Sequence, residues 1–130
     1  MPANTHITLR EGTLGIAGHA FRDCTGLTSV TIPNSVIEIG ELAFLDCDGL
    51  DDVYCYISDL SLVTMDSRAF YLFISQDYSA RTLHVPVGSL EAYQADTNWS
   101  RYFGSIVEMS ILATSVSLNN TATASSAKNR

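Results

Sequence analysis

The sequence predicts a right-handed solenoid that is mostly β, with short helical or 3₁₀ turns between its strands. The main observation is that the chain matches itself at an offset of 23 residues, when Ile7–Ile32 is laid over Val30–Cys55. A fixed period in this range is typical of solenoids, in which each unit buries its apolar face only against its neighbours. The identical pairs are Thr8/Thr31, Ile16/Ile39, Ala20/Ala43, Phe21/Phe44, Asp23/Asp46, Cys24/Cys47, Gly26/Gly49, Leu27/Leu50 and Val30/Val53.

A second observation is the strand pattern in the latter half of each unit. Leu27–Ile32 reads L-T-S-V-T-I, which has the L-x-x-V-x-I spacing of a leucine-rich-repeat strand. Because side chains alternate along a strand, Val30 and Ile32 should point inward and Ser29 and Thr31 outward. The sequence therefore predicts a sheet of short parallel strands on one face of the solenoid.

The chain must return from each strand to the next. Pro33 has no N–H to donate, so it should end the strand, and Val36, Ile37 and Ile39 should bring the chain back over the core. Gly40–Leu45 is predicted to form a short helical or 3₁₀ turn whose phenylalanine fills the space between coils. One continuous interior should then contain the aromatic side chains of Phe21, Phe44 and Phe70 at equivalent positions in successive coils.

The later units are less regular. Ala69-Phe70 follows Ala43-Phe44 by 26 residues, so Tyr56–Thr64 contains about three extra residues. The next strand, Leu83–Pro86, arrives about four residues late. Solenoids absorb such insertions in loops, so we expect about four coils over residues 1–87.

The following segment, residues 88–112, is predicted to cap the last coil. Ser89 can cap a helix N-terminus, and Leu90 with Tyr93 forms its apolar edge. A terminal repeat needs such a cover over its apolar end. The aromatic residues expected to supply it are Trp99, Tyr102 and Phe103, followed by a strand over residues 105–108.

Composition excludes several classes of partner. The 130-residue chain carries a net charge of −7 with only seven Lys and Arg, so it is a poor candidate for nucleic acid or anionic membranes. It contains no apolar stretch of the ~20 residues needed to span a bilayer. Residues 1–5 lack the features of a secretory signal, and reading begins inside a repeat, so we expect a piece of a longer protein.

Three cysteines do not form a complete disulfide framework. Cys24 and Cys47 share one repeat position, and Cys55 stands where Ile32 stands. We expect buried free thiols that act as small apolar residues. A bond between Cys24 and Cys47 across adjacent coils is the alternative.

The segment Ala20–Val36, A-F-R-D-C-T-G-L-T-S-V-T-I-P-N-S-V, resembles the BspA-type leucine-rich repeat of Bacteroides-like bacterial cell-surface proteins. The resemblance covers about residues 7–86, and Thr82–Tyr93 with Trp99 is similar to the closing unit of such arrays. It implies an exported protein that binds host matrix proteins, host cells or other bacteria. It supplies no catalytic residues and no fixed ligand contacts.

The C-terminal residues 113–130 have a separate resemblance. Ala113–Asn119 is similar to the opening strand of a bacterial immunoglobulin-like domain, but the pattern breaks off after that strand. The sequence therefore predicts either a disordered tail or the truncated start of such a domain.

The outward row of the strand sheet is the first candidate site. Tyrosine beside aspartate and small hydroxyl residues is a mixture favoured at protein-binding surfaces. Alternatively, Tyr54 and Tyr56 occur here only because aromatic residues favour strands, and one of them packs under the inserted loop at Tyr56–Thr64. Thr8 and Arg10 belong to this row, and its candidate binding residues are Ser29, Thr31, Asp52, Tyr54, Tyr56 and His84.

The second candidate is an acidic run, Asp46, Asp48, Asp51 and Asp52. Its order has some character of a calcium loop but lacks the glutamate and spacing of an EF-hand, so a solvated acidic edge is the better interpretation. His6, His19 and His84 show no metal-ligand spacing, and no nucleophile or phosphate-binding motif is present. We therefore expect no metal, no cofactor and no enzymatic activity.

The sequence thus predicts a non-enzymatic adhesion module at the bacterial cell surface or secreted, which binds a host or bacterial protein or glycan through the strand face. The alternatives are a structural spacer in a larger surface protein and an accessory domain of a secreted hydrolase. We also expect self-association through the exposed strand Ile7–Leu9, because open strand edges invite pairing.

Overall fold

The computed structural model describes residues 1–109, and the chain there alternates between two parallel sheets. The fold is mostly strand, with few helices, as the sequence predicts. The five-stranded sheet contains β1 (Thr5–Thr8), β3 (Leu27–Ile32), β5 (Asp52–Cys55), β7 (Thr82–Val85) and β8 (Ser105–Glu108), in that order. The three-stranded sheet contains β2 (Gly15–Ile16), β4 (Glu38–Ile39) and β6 (Thr64–Met65).

The strand register follows the repeat. Val30 pairs with Val53, and Val53 pairs with Leu83, so equivalent positions of successive units lie side by side. All three side chains are completely buried. The predicted alternation of inward apolar and outward polar residues is confirmed in β5 and β7. In β3 it holds for Val30, Thr31 and Ile32, whereas Ser29, predicted to be exposed, is buried because His6 lies against its hydroxyl.

The return segment differs from the prediction at one residue. Val36 and Ile39 are buried, but Ile37 is 51% exposed, so its expected core position is wrong. The cause is the turn closed by Val36 N–H and the Pro33 carbonyl, which directs Val36 inward and its neighbour outward before β4 begins.

The segment Gly40–Leu45 forms consecutive turns and no helix. Leu42 and Asp46 have positive φ angles of 54° and 57°, which a right-handed helix cannot contain. The turns are held to their neighbours by backbone bonds such as Phe21 N–H to the Ala43 carbonyl, 2.7 Å. A 3₁₀ helix lies instead at Leu60–Leu62, inside the predicted insertion.

A stack of aromatic rings runs through the interior. The centroids of Phe21 and Phe44 are 5.1 Å apart, and those of Phe44 and Phe70 are 4.8 Å apart, with nearly parallel planes. Phe70 then contacts Trp99 and Phe103 at centroid distances of 5.7 and 5.4 Å. The predicted continuous interior is confirmed.

The last unit is covered by α1 (Leu90–Ala95) and α2 (Thr97–Ser100). The Tyr93 hydroxyl donates to the Ile57 carbonyl at 2.6 Å, and Trp99 is 1% exposed. Ser89 occupies the N-cap position of α1, but its side chain makes no capping bond, so that predicted role is wrong. Its hydroxyl faces the Ser58 carbonyl instead, at 3.5 Å. No helix within residues 1–109 is long and apolar enough to cross a membrane.

Arg81 is the residue that sequence reasoning missed. Its backbone N–H donates to the carbonyl three residues earlier, that of Tyr78. Leu27 and Leu50 make the same bond, to the backbone carbonyls of Cys24 and Cys47. Arg81 therefore occupies the position at which earlier units have leucine. The side chain is 3% exposed. Its guanidinium donates to the carbonyls of Leu50, Phe70 and Cys47 at 2.9, 2.9 and 3.0 Å.

Glycine is required where neighbouring units approach most closely. A Cβ atom at Gly49 would lie 2.7 Å from the Thr25 carbonyl oxygen, and one at Gly26 would lie 2.2 Å from that of Pro2. Both contacts are with backbone, which cannot move aside cheaply. The Gly26/Gly49 identity in the repeat therefore reflects packing between units.

Candidate functional site

The outward face of the five-stranded sheet carries two rows of side chains. In one row Ser29 is in register with Asp52, and Asp52 with Thr82. In the other row Thr31 is in register with Tyr54, and Tyr54 with His84. The structure thus places five of the six predicted binding residues in adjacent strands of one surface, with Tyr56 just beyond β5.

Three of these residues form a cluster. The rings of Tyr54 and His84 are stacked, with centroids 4.2 Å apart and planes 15° from parallel. His84 Nε2 lies 2.8 Å from Asp52 Oδ1, across the same pair of strands. The side chains of His84 and Asp52 are 21% and 38% exposed, so the pair is held in place and still reachable from solvent.

The other predicted residues differ in accessibility. Tyr56 is 40% exposed, whereas Ser29 is only 9% exposed, which makes it the least available of the set. Thr31 is half-buried. Neither tyrosine is the residue buried at the inserted segment. That residue is Ile57, which is 2% exposed, whereas Tyr54 packs on His84.

The structure adds His6 to this face. His6 Nδ1 lies 2.6 Å from Ser29 Oγ, which explains the low exposure of that serine. The 23-residue offset could have revealed this neighbour, because it aligns His6 with Ser29. Asp52, the nearest acidic residue in register, is bonded to His84, so within residues 1–109 no carboxylate orients His6 as a base. The face can therefore present hydrogen-bonding groups to a partner.

The acidic run does not converge. The Asp46 carboxylate accepts a hydrogen bond from Phe73 N–H at 2.6 Å, and Asp52 faces His84. Within the described part of the chain, no group of three or more His, Cys, Asp or Glu side chains could hold a metal ion.

The three thiols are free. Cys47 and Cys55 are buried as predicted, whereas Cys24, in the first unit, is only partly buried. Burial raises the pKa of Cys47 to about 12 and that of Cys55 to about 11. Both therefore stay protonated and unreactive at neutral pH.

Comparison with known proteins bears on this architecture. Residues 3–79 match the model of the BspA type leucine rich repeat region, in six copies. No curated protein and no solved structure matches the chain. The matched residues span more than half of the sequence and include β1 to β6, the Phe21, Phe44 and Phe70 stack, and most of the outward face. The chain belongs to the BspA-type leucine-rich repeat family.

Proposed function

We propose that this chain is a non-enzymatic repeat module of a bacterial cell-surface or secreted protein, and that it binds a partner through the outward face of the five-stranded sheet. The observation that carries the proposal is the cluster of Asp52, Tyr54 and His84, which is ordered by its own contacts and open to solvent. Family membership supports a surface-protein repeat module.

The architecture that we propose behind this face is a right-handed solenoid of about four coils, with repeats over residues 1–87 and a cap over 88–112. The alternation of the chain between two parallel sheets supports it. Residues 113–130, for which the sequence predicts a tail or a truncated immunoglobulin-like domain, lie outside the described residues, which end at 109.

The partner that fits this face best is a protein. Tyr54 and His84 each cover one face of the other's ring, which leaves less open ring surface for stacking on a sugar. Their edges, the Tyr54 hydroxyl and the Asp52 carboxylate suit hydrogen bonds with side chains and backbone. The face spans five strands, about 19 Å at ~4.8 Å per step, so a single contact should be weak.

Binding to a panel of immobilised extracellular-matrix and host-cell-surface proteins tests the proposal. The double substitution Tyr54→Ala, Tyr56→Ala should weaken binding by about tenfold or more, because tyrosines supply much of such contact energy. The matched control is Ile37→Ala, Leu62→Ala, which removes exposed apolar groups elsewhere and should bind as the unmodified chain does. Equal loss in both variants would contradict the assignment of this face.

Two alternatives predict other outcomes. A structural spacer would bind nothing in the panel, and the many small hydroxyl residues on the face, such as Thr8 and Thr31, are compatible with that role. An accessory domain of a secreted hydrolase, or a glycan-binding module, would bind a glycan array and lose that binding on Tyr54→Ala.

A further inference from the structure

The inserted loop between Phe70 and β7, residues 71–79, displays two adjacent apolar side chains to solvent. Phe73 is 65% exposed and Ile74 is 83% exposed, whereas Leu72 beside them is 3% exposed. An exposed apolar patch rimmed by polar groups commonly marks a contact with another molecule. The strand that follows the loop, β7, lies between β5 and β8, so the exposure of this pair does not depend on either end of the chain.

The backbone of the loop is held in place at this pair. Phe73 N–H donates to Asp46 Oδ1 at 2.6 Å, which ties the loop to the preceding unit. Leu72 N–H donates to the Tyr78 hydroxyl at 2.9 Å, which joins the two sides of the loop. A partner would therefore meet a preformed surface, at little entropic cost for ordering the loop.

A row of aromatic rings supports the pair from below. Phe73 packs edge to face on Tyr71, and Tyr71 on Tyr102, both at centroid distances of 6.4 Å. Tyr102 also contacts Tyr78, at 5.4 Å, and is only 4% exposed. Phe73 is thus the exposed end of a packed row, and its ring loses little freedom when a partner covers its open side.

The charged groups near the pair are mainly acidic. Asp46 bonds the loop backbone, Asp48 follows it and is exposed, and Asp77 is exposed in the loop itself. The basic group nearest to the row of rings is Arg101, whose guanidinium carbon lies 5.8 Å from the Tyr102 centroid. An apolar tip with an acidic rim complements an apolar pocket edged by basic residues.

Charge also decides between classes of partner. Within residues 1–109 the chain has five arginines and no lysine. Arg22 and Arg68 pair with Asp23 and Glu41, and Arg81 is buried. A second copy of this described region therefore offers no basic surface to the acidic rim, and nucleic acids and anionic membranes would be repelled by it.

We propose that the loop at residues 71–79 is a docking element that inserts Phe73 and Ile74 into an apolar pocket of a basic partner protein. The acidic rim would meet the basic edge of that pocket. This inference is independent of the proposed adhesive face, because it uses none of the Asp52, Tyr54 and His84 cluster.

Binding of the full chain to a panel of immobilised basic and acidic extracellular-matrix and cell-surface proteins tests the proposal. Basic members should bind, and Phe73→Ser, Ile74→Ser should weaken that binding by about tenfold or more, because it removes both inserted groups. The matched control is Ile37→Ser, Leu62→Ser, which makes the same change at other exposed apolar residues and should bind as the unmodified chain does.

A charge variant tests the acidic rim. Asp46→Asn, Asp77→Asn removes two charges but keeps an oxygen at each position to accept the loop hydrogen bonds. It should weaken binding to basic members by about threefold or more and reduce the salt dependence of that binding. Thermal melts report the folding of every variant, and the single substitution Ile74→Ser serves if the double serine variant folds poorly.

Binding to basic members that the loop variants weaken would establish the docking element. The inference would be overturned by binding to no basic member, or by binding that the loop variants leave unchanged. Self-association or glycan-array binding that Phe73→Ser, Ile74→Ser abolishes would assign the loop to another occupant and overturn it as well. Loss of binding only in the Tyr54→Ala, Tyr56→Ala variant would overturn it and leave the adhesive face standing.

Discussion

At the scale of single residues, Arg81 shows how one side chain can replace a core leucine. Its side chain is buried, and its guanidinium donates to the carbonyls of Leu50 and Phe70 and, beside Leu50 N–H, to that of Cys47. Burial lowers its pKa. The contacts with Tyr78 and Phe103, 5.6 and 6.0 Å from the guanidinium carbon to the ring centroids, offset part of the cost of burying the charge.

We expect Arg81→Ala to lower the free energy of unfolding by about 3 kcal/mol or more, because the Leu50 and Phe70 carbonyls lose their donor and the Cys47 carbonyl keeps only the Leu50 N–H. Arg81→Lys should recover less than half of that loss, since a single ammonium cannot reproduce the planar fork. Urea denaturation measures both values. A loss below about 1 kcal/mol for the alanine variant would contradict the importance of these bonds.

The buried thiols predict alkaline destabilisation. Because burial raises their folded-state pKa values to about 12 and 11, the unfolded chain loses those protons first as pH rises above about 9. Each thiol should then reduce the free energy of unfolding by about 1.4 kcal/mol per pH unit until its folded-state pKa is reached. Burial also raises the pKa of Tyr93, which acts in the same direction.

Denaturation curves between pH 8 and 11 check this effect, with the double variant Cys47→Ala, Cys55→Ala as the comparison. The double variant should lose stability less steeply than the unmodified chain. The partly buried Cys24→Ala variant serves as control and should follow the unmodified chain. Parallel curves for all three proteins would show that the thiols do not cause the decline.

For single residues, the repeat predicted most of the buried positions. Prediction failed mainly where an insertion or the change to the cap interrupts the correspondence between units. Ser89 is a good helix-capping residue type, yet its hydroxyl turns toward Ser58. Arg81 could not be recognised because the insertion before it hides its correspondence with Leu27 and Leu50. The bond between Asp52 and His84 was missed for the same reason, since it needs the register across that insertion.

At the scale of elements, the α1 helix depends on one anchor. Tyr93 donates its hydroxyl to the Ile57 carbonyl at 2.6 Å and lies 3.2 Å from Cys55 Sγ, so it ties the cap to the residues that follow β5. A helix of six residues is too short to be stable alone. Its formation therefore relies on this bond and on its packing against Trp99, whose centroid is 5.2 Å from that of Tyr93.

Tyr93→Phe should lower the free energy of unfolding by about 1 to 2 kcal/mol, because the buried Ile57 carbonyl loses its donor while the ring still packs. Tyr71→Phe is the matched control: the Tyr71 hydroxyl accepts only an exposed bond from Gln76, at 3.3 Å, and its loss should have little effect. Thermal or urea denaturation compares the two. Equal effects would contradict the anchoring role of Tyr93.

Most elements could be predicted because their pattern repeats. The strands, the inserted segments and the aromatic cover follow from the 23-residue period and the places where it fails. The turns at Gly40–Leu45 could not be distinguished from a 3₁₀ helix, because both use bonds between residues i and i+3. Only the positive φ values of Leu42 and Asp46 decide between them.

At the scale of the whole molecule, the interior is continuous from Phe21 to Trp99, but its two ends differ. The last unit is covered by α1 and α2, whereas within residues 1–109 the strands of the first unit lie at the edge of both sheets. Stability in such repeat structures is approximately a sum of unit terms and neighbour terms. We therefore expect protection from exchange to rise from the first unit towards the cap.

Hydrogen exchange can measure this gradient with a matched pair of amides. Phe21 N–H and Phe44 N–H occupy the same repeat position and make bonds of equal length, 2.7 Å, to the following unit. The Phe21 amide should exchange at least about tenfold faster than the Phe44 amide. Equal rates would show that the first unit opens only with the whole domain.

The close approach of Gly26 and Gly49 to neighbouring backbone has a consequence for how such a protein can lengthen. A duplication of 23 residues copies the glycine, the ring and the strand together, so the new segment meets its neighbours with every contact intact. A duplication of any other length adds residues that must loop out of the repeat, as the segments around Leu60–Leu62 and Phe73 do here. Lineages of this protein should therefore vary in size by whole multiples of one period far more freely than by single residues.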